Sequence, residues 1–306
     1  MAFEFIDAQL AQRQQDGYYR QRTCIDYERD GVIAINGQHY LNFGSNDYLG
    51  LRHNQGVLQA WVEGLAQFGG GSGASPLVTG YSAAHRELEQ VLAEALNRDA
   101  VLLFSSGFAA NQALCQALFA EQGDIIADKY MHASFIEGAT ASAARLRRFA
   151  HNDYTHLSAL LSKTTSSHRL IASEGVFSMD GDSPDVAKLV ASAEASDSWL
   201  MLDDAHAFGV TGEYGLGSID AYQLSQQQCP VVMGTFGKAV GTAGAFIAGS
   251  HALIDYLVNY ARHYIYSTAF PPAQAVATLH ALSLVTQGAE REQLHANIAH
   301  FRARAN

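Results

Sequence analysis

At 306 residues and 48% hydrophobic content the chain has ample material for one large domain or two smaller ones, and its net charge of −11, with basic residues scattered, argues against a nucleic-acid surface. The three cysteines, Cys24, Cys115 and Cys229, lie far apart, form no CxxC pair and are odd in number, as expected of thiols in a reducing compartment. No run approaches the ~18 apolar residues of a membrane span, and Met1-Ala2-Phe3-Glu4-Phe5-Ile6-Asp7 lacks the basic start and apolar core of a secretory signal, so the expectation is a cytoplasmic protein with no membrane partner.

Residues 3–22 intersperse leucine, phenylalanine and tyrosine among Gln, Arg and Asp and end in Tyr18-Tyr19-Arg20-Gln21-Arg22; the pattern predicts a helical arm that packs on the body of the chain or on a second subunit. Gly31 to Phe43 predicts a β-hairpin turning at Asn36-Gly37, between Val32-Ile33-Ala34-Ile35 and Gln38-His39-Tyr40-Leu41. The next turn, Gly44 to Leu51, is either simply well packed or places Asn46 beside a substrate. A helix over 54–68 leads into the glycine-rich run 69–80, which lets backbone approach a ligand but has no dinucleotide or Walker spacing. A second helix is predicted over 82–97, apolar at 88, 91, 92, 95 and 96.

From about residue 100 to 250 apolar runs alternate with helical ones. Strands are predicted at 100–104, 124–128, 145–148, 169–173, 198–202, 231–233 and 243–248, and helices at 109–119, 134–142, from 152 onward, and at 185–196. This alternation requires crossovers, hence an α/β fold with a mostly parallel sheet between helices and ligands at the strands' C-terminal ends. Helices over 251–262 and 272–304 close the chain. The expected organisation is an arm and hairpin over 1–45, a large α/β domain over 46–272, and the start of a further helix over 273–306.

The chemistry gathers at strand ends. Lys238 follows Val231-Val232-Met233 through Thr235-Phe236-Gly237, and partial burial there lowers a lysine's pKa, freeing the amine to form an imine with an aldehyde cofactor; the alternative is a solvated lysine in a Gly-rich turn. Asp203, at the end of Ser198-Trp199-Leu200-Met201-Leu202, is poorly solvated and needs a cation, which a pyridinium nitrogen supplies. His206 is in reach of a ring hydroxyl. The pair fits a pyridoxal phosphate site; a Mg or Zn site on Asp203, Asp204 and His206 is the competing reading, but no spaced His/Cys/Glu set completes it. Ser105-Ser106-Gly107-Phe108 opens a helix and either binds an anion or merely caps the helix, with Thr235 offering a second phosphate hydroxyl. His132 either stacks on a planar ring or serves as a structural hydrogen-bonder. The acidic run Glu174 to Asp182 matches a calcium loop only loosely.

The stretches Ser45-Asn46-Asp47-Tyr48-Leu49-Gly50-Leu51, Phe104-Ser105-Ser106-Gly107-Phe108, Asp128-Lys129-Tyr130-Met131-His132, Glu174-Gly175-Val176-Phe177-Ser178-Met179-Asp180-Gly181, Asp203-Asp204-Ala205-His206 and Thr235-Phe236-Gly237-Lys238 together resemble the α-oxoamine synthases, pyridoxal phosphate enzymes of the fold-type I class. That resemblance implies a seven-stranded, mostly parallel sheet and a homodimer with its sites at the subunit interface. It implies that Lys238 binds the cofactor and moves the α-proton of an amino acid, that Asp203 pairs with the ring nitrogen and His206 with the ring 3-oxygen, and that His132 stacks on the ring while Ser178 orients it. Gly107, Phe108 and Thr235 would hold the phosphate, with Ser267 or Thr268 reaching over from a partner subunit; Asn46 and Arg20 would meet the substrates. The member it suggests joins L-alanine to a pimeloyl thioester, carried by coenzyme A or a carrier protein, in biotin synthesis. Relatives with glycine or serine and other acyl thioesters, a plain aminotransferase or decarboxylase, and a non-catalytic fragment are the alternatives. Two departures stand out: Pro76 where relatives often carry arginine, and no counterpart of the family's small C-terminal domain with its carboxylate-clamping arginine, so weak activity is expected.

Overall fold

The computed structural model describes residues 2–305, which form an N-terminal unit ending at Ser45 and a body starting at Asn46. In the N-terminal unit α1 (Phe5–Gln15) is shorter than the predicted arm and buries none of its residues. It stops because Gly17 adopts φ +74°, a left-handed conformation that ends a helix, so Tyr18 to Arg22 are not helical. A three-stranded antiparallel sheet follows, β1 (Tyr27–Arg29), β2 (Val32–Ile35) and β3 (Gln38–Leu41). The Asn36-Gly37 turn has φ of +50° and +76°, as a two-residue hairpin requires. Asp30-Gly31 repeats the device at +51° and +76° and adds β1, a strand without the apolar alternation that would have announced it.

The body is built on seven strands, β4 (Ala100–Phe104), β5 (Asp124–Asp128), β6 (Arg145–Phe149), β7 (Arg169–Glu174), β8 (Trp199–Asp203), β9 (Val231–Thr235) and β10 (Ala245–Gly249), in the order β4-β10-β9-β8-β7-β5-β6. β10 runs antiparallel to both its neighbours, while the β9-β8-β7-β5-β6 pairings are all parallel. The exception has a simple cause: β9 and β10 are joined by the loop 236–244 with no crossover helix, and a parallel return needs one.

Helices cover both faces. On one side α2 (Gln55–Phe68), α3 (Ala83–Ala95), α6 (Tyr154–Leu161), α7 (Val186–Ala195) and α11 (Pro272–Gln287) share a core with Val101, Leu103, Ile126, Ile171, Leu200 and Val232. On the other, α4 (Gly107–Leu118), α5 (Ala133–Ala141) and α9 (His251–Tyr260) pack on Leu102, Phe104, Ile125, Leu170, Met201 and Val231. Alternate residues of single strands thus enter different cores, which is the period-two geometry of a strand buried on both sides. In α3 Leu88 and Leu92, and just past its end Leu96, are buried while Val91 is left exposed.

The predicted helix over 272–304 is two helices. α11 ends at Gly288 (φ +88°), and α12 (Ala289–Ala305) starts anew beyond it. Arg291 is buried at the break, its guanidinium donating to Val285 O (2.6 Å), a carbonyl of the last turn of α11, and to Glu213 O (2.5 Å) in a distant loop. Two further short helices, α8 (Ser218–Ala221) and α10 (Arg262–Ile265), had no counterpart in the sequence pattern. No helix among the described residues is long and apolar enough to cross a membrane.

Candidate active site

At the C-terminal ends of β5, β7, β8 and β9 lies a cavity of about 180 Å³, and seven of the residues singled out in the sequence line it: Gly107, Phe108, His132, Asp203, His206, Thr235 and Lys238. Ser134, Glu174, Ala205 and Met233 complete the lining.

Asp203 ends β8 and is 2% exposed. Asn111 Nδ2 donates to one carboxylate oxygen (3.0 Å) and Ala205 N to the other (3.0 Å). Burial raises its pKa, and these donors together with the positive potential of Lys238 and His132 pull the other way. A cationic partner at this position would favour the ionised carboxylate over the neutral form that burial favours. Asn111 Nδ2 also donates to Ser134 Oγ (3.0 Å), which lies 2.8 Å from His132 Nδ1, so one chain of polar contacts fixes the orientation of Asp203 and His132 together.

Lys238 lies in the loop that joins β9 to β10. The loop is closed by Phe236 N to Gly244 O (2.9 Å), Gly241 N to Lys238 O (2.9 Å) and Thr242 N to Phe236 O (3.0 Å). Gly241 has φ +73°, and a Cβ there would stand 2.5 Å from the Arg52 amide nitrogen, so the tight turn needs glycine. Burial lowers the Lys238 pKa, against the opposing pull of Asp203 and Glu174, which favours a free amine. Of the chain's four lysines, Lys129, Lys163 and Lys188 are exposed; Lys238 alone is partly buried.

His206 Nδ1 is 2.8 Å from Tyr48 Oη, which is itself 3.2 Å from Asn46 Oδ1. Burial, then the proximity of Lys238 and His132, pushes the His206 pKa down to about 4, leaving a neutral ring. Tyr48 Oη has one proton, which goes either to Asn46 Oδ1 or to His206 Nδ1; in the second case the ring proton sits on Nε2 as a donor. Ser106 caps α4, accepting from Ala109 N (3.2 Å); the amides of Gly107 and Phe108, ahead of it, have no hydrogen-bond partner among the described residues. Ser106 thus caps the helix, and the two amides left over are what an anion site at this turn would use. Thr235 Oγ1 donates to Gly244 O (2.8 Å) and accepts from Gly237 N (3.3 Å), so its hydroxyl also stitches the Lys238 loop.

The remaining predicted residues lie outside this cavity. Ser178 is exposed on the loop after β7, and Asn46 is exposed but tied to the site through Tyr48. Ser267 and Thr268 line a different cavity, with Tyr81, His85, Glu89 and Ser105. Arg20 is exposed in the extended segment of the N-terminal unit. The proposed metal trio is split: Asp204 accepts from Ser218 N (2.7 Å) and Ser218 Oγ (2.6 Å), and burial raises its pKa to about 7. A Cβ at Gly175 would collide with both Asp204 Oδ1 and Ser218 Oγ. Gly175→Ala is therefore expected to lower stability by about 1–3 kcal/mol in a denaturant titration, the usual cost of overpacking.

Sequence reasoning missed Glu174, Asn111 and Tyr48. Glu174 pairs with Asp203 across the β7-β8 register, is 3% exposed, and has Oε1 without a partner. Burial and then the nearby Asp203 raise its pKa to about 8. A charged residue closing an apolar strand was its only signal; for Asn111, an amide in an apolar helix.

The residues present suit pyridoxal phosphate: a buried carboxylate for a ring cation, a depressed lysine amine for an aldehyde, and two free amides at a helix start for a phosphate. The family model for aminotransferase class I and II matches residues 38–305, and the chain belongs to that family. Within it the chain stands with the 8-amino-7-oxononanoate synthases: that of Aeromonas hydrophila is 46% identical over 298 residues, covering 97% of this chain and 74% of its own length. The crystal structure of 8-amino-7-oxononanoate synthase from Francisella tularensis superposes with a TM-score of 0.74 at 34% identity, over 84% of this chain and 72% of that one. A lysine-to-alanine variant of serine palmitoyltransferase from S. paucimobilis, with a bound PLP–myriocin aldimine, has a TM-score of 0.86 at 28% identity, over 96% of this chain and 75% of that one.

Proposed function

We propose that the protein is a pyridoxal phosphate-dependent acyltransferase that condenses L-alanine with a pimeloyl thioester, giving 8-amino-7-oxononanoate, carbon dioxide and the free thiol. The observation that carries the reading is the cavity that joins Lys238, Asp203, His132 and His206, in a chain 46% identical to an 8-amino-7-oxononanoate synthase. When bound, pyridoxal phosphate supplies an electron sink for the pair left on the amino acid's α-carbon.

The chain's own residues then divide the work. Lys238 Nζ anchors the cofactor and, as a free amine, takes and returns the proton at the α-carbon. Asp203, oriented by Asn111 and Ala205 N, keeps the ring nitrogen protonated. His206 Nε2 donates toward the ring oxygen, and Ser178 assists it. His132, braced by Ser134, offers an aromatic partner to a planar ring. The Gly107 and Phe108 amides and Thr235 receive the phosphate, joined by Ser267 or Thr268 of a second copy in a homodimer. Asn46 and Arg20 serve the substrates, the amino acid and the acyl thioester. The working compartment is the cytoplasm.

Incubation of the protein with pyridoxal phosphate, L-alanine and pimeloyl-coenzyme A is expected to form 8-amino-7-oxononanoate, read by mass spectrometry, with alanine preferred over glycine and serine. A product from serine or glycine in preference would move the chain to another α-oxoamine synthase activity. Transamination to a keto acid without thioester consumption would overturn the acyl-transfer reading.

A further inference from the structure

Beside the cofactor cavity, and outside it, His151 sits between two carboxylates. Its Nδ1 is 2.9 Å from Asp128 Oδ1 and its Nε2 is 2.9 Å from Asp182 Oδ2. The nearest partner of each ring nitrogen is a carboxylate oxygen, with Asn152 Nδ2 a further contact 3.3 Å from Nε2; between two ionised carboxylates both nitrogens carry protons and the ring is an imidazolium. Tyr130 stacks on one side (4.3 Å between centroids, 27°) and Phe177 meets it edge-on (4.5 Å, 88°). Asn152 ties the same carboxylates, N donating to Asp128 Oδ2 (3.0 Å) and Nδ2 to Asp182 Oδ2 (2.9 Å). Asp128 is fully buried and Asp182 Oδ1 has no partner, so a cation between them offsets the repulsion of two carboxylates held on one ring.

The two carboxylates do not line the cavity, but each belongs to a segment with one residue that does, His132 in one case and Glu174 in the other. Asp128 builds the turn that delivers His132: its Oδ1 accepts from Tyr130 N (2.7 Å) and its carbonyl from Met131 N (3.1 Å). Asp182 closes the loop that begins at Glu174 and carries Ser178, its carbonyl accepting from Phe177 N (2.9 Å). No other hydrogen-bonded ion pair among the described residues joins these two segments. We propose that His151 is a positioning residue: its imidazolium clamps the His132 turn to the Glu174–Asp182 loop and so sets the width of the cofactor cavity and the affinity for pyridoxal phosphate. The proposal rests on the cofactor reading above.

The titratable groups that face His151 are Asp128 from the end of β5, Tyr130 from the turn, Asp182 from the loop after β7 and, through Asn152, Tyr154 at the start of α6. Burial alone would lower its pKa, but the two carboxylates outweigh that and raise it. A raised folded-state pKa means the clamp is complete below the ordinary histidine value of about 6.5 and is lost as pH rises through the raised value.

The test is titration of the apoprotein with pyridoxal phosphate, followed by absorption, for wild type, His151→Gln, Asp182→Asn and the double variant, across a pH series. The Asp182 side chain is 40% exposed, so its variant reads the same link should His151→Gln fail to fold. Each single variant is expected to bind about tenfold more weakly at low pH, the double variant no worse than the singles, and the deficit to shrink as pH rises. Single variants that bind as wild type does, effects that add in the double variant, or a deficit unchanged at high pH would each overturn the clamp. A wild-type protein that binds no pyridoxal phosphate would instead overturn the cofactor reading on which the clamp rests.

Discussion

Lys238→Ala is expected to abolish covalent capture of pyridoxal phosphate and to lower condensation by about 10²–10⁴-fold or more, the range of a lost general base alone. The physical ground is specific to this lysine. Burial in the β9-β10 loop lowers its pKa, whereas Lys129, Lys163 and Lys188 are exposed. None of those three lines the cavity, so none can substitute. The loop holds its shape through backbone bonds at Phe236, Gly241 and Thr242, which the alanine leaves in place. The variant should therefore fold and bind the cofactor without the lysine-dependent absorption band, while product formation collapses. A variant that kept the band would move the anchor elsewhere.

Asp203→Asn is expected to have the next largest effect, a loss of about 10²–10⁴-fold in product formation together with weaker cofactor binding, in line with about 3–5 kcal/mol for breaking a buried charge pair. The asparagine is nearly isosteric, but the site supplies donors where an acceptor is needed. Asn111 Nδ2 and Ala205 N already point at the two carboxylate oxygens, so an amide NH₂ placed there meets a donor and cannot balance a ring cation. Cofactor affinity by absorption and steady-state rates measured together check it. Unchanged rates would mean that the ring nitrogen does not depend on this residue.

The sheet was largely legible in the sequence because its strands are buried on both faces. Runs such as Val101-Leu102-Leu103-Phe104 and Leu200-Met201-Leu202 are continuously apolar and bounded by polar or glycine-rich turns, and the structure places strands there. What escaped is set by contacts rather than pattern. β1 exists because Asp30-Gly31 turns it onto β2, and the break at Gly288 depends on one left-handed glycine secured by Arg291. The reversal of β10 follows from a connection without a helix, a fact of chain length that composition does not display.

The site divides along the same line. Lys238, Asp203 and His206 each follow a strand end, where chemistry is expected in an α/β fold, and the structure brings them into one cavity with His132 and the α4 start. Asn111, Tyr48 and Glu174 reach it from a helix, a turn and a neighbouring strand, and only the folded register shows that Glu174 lies opposite Asp203. His151 carries no motif at all; its meaning comes from two carboxylates, Asp128 and Asp182, that are separated in sequence and adjacent in space.

The central claim, that this cavity is a pyridoxal phosphate site anchored on Lys238, is tested most directly by borohydride reduction of the cofactor-loaded protein followed by peptide mass mapping. The predicted result is one phosphopyridoxyl group per chain, on Lys238. No adduct, or an adduct spread over Lys129, Lys163 and Lys188, would contradict it.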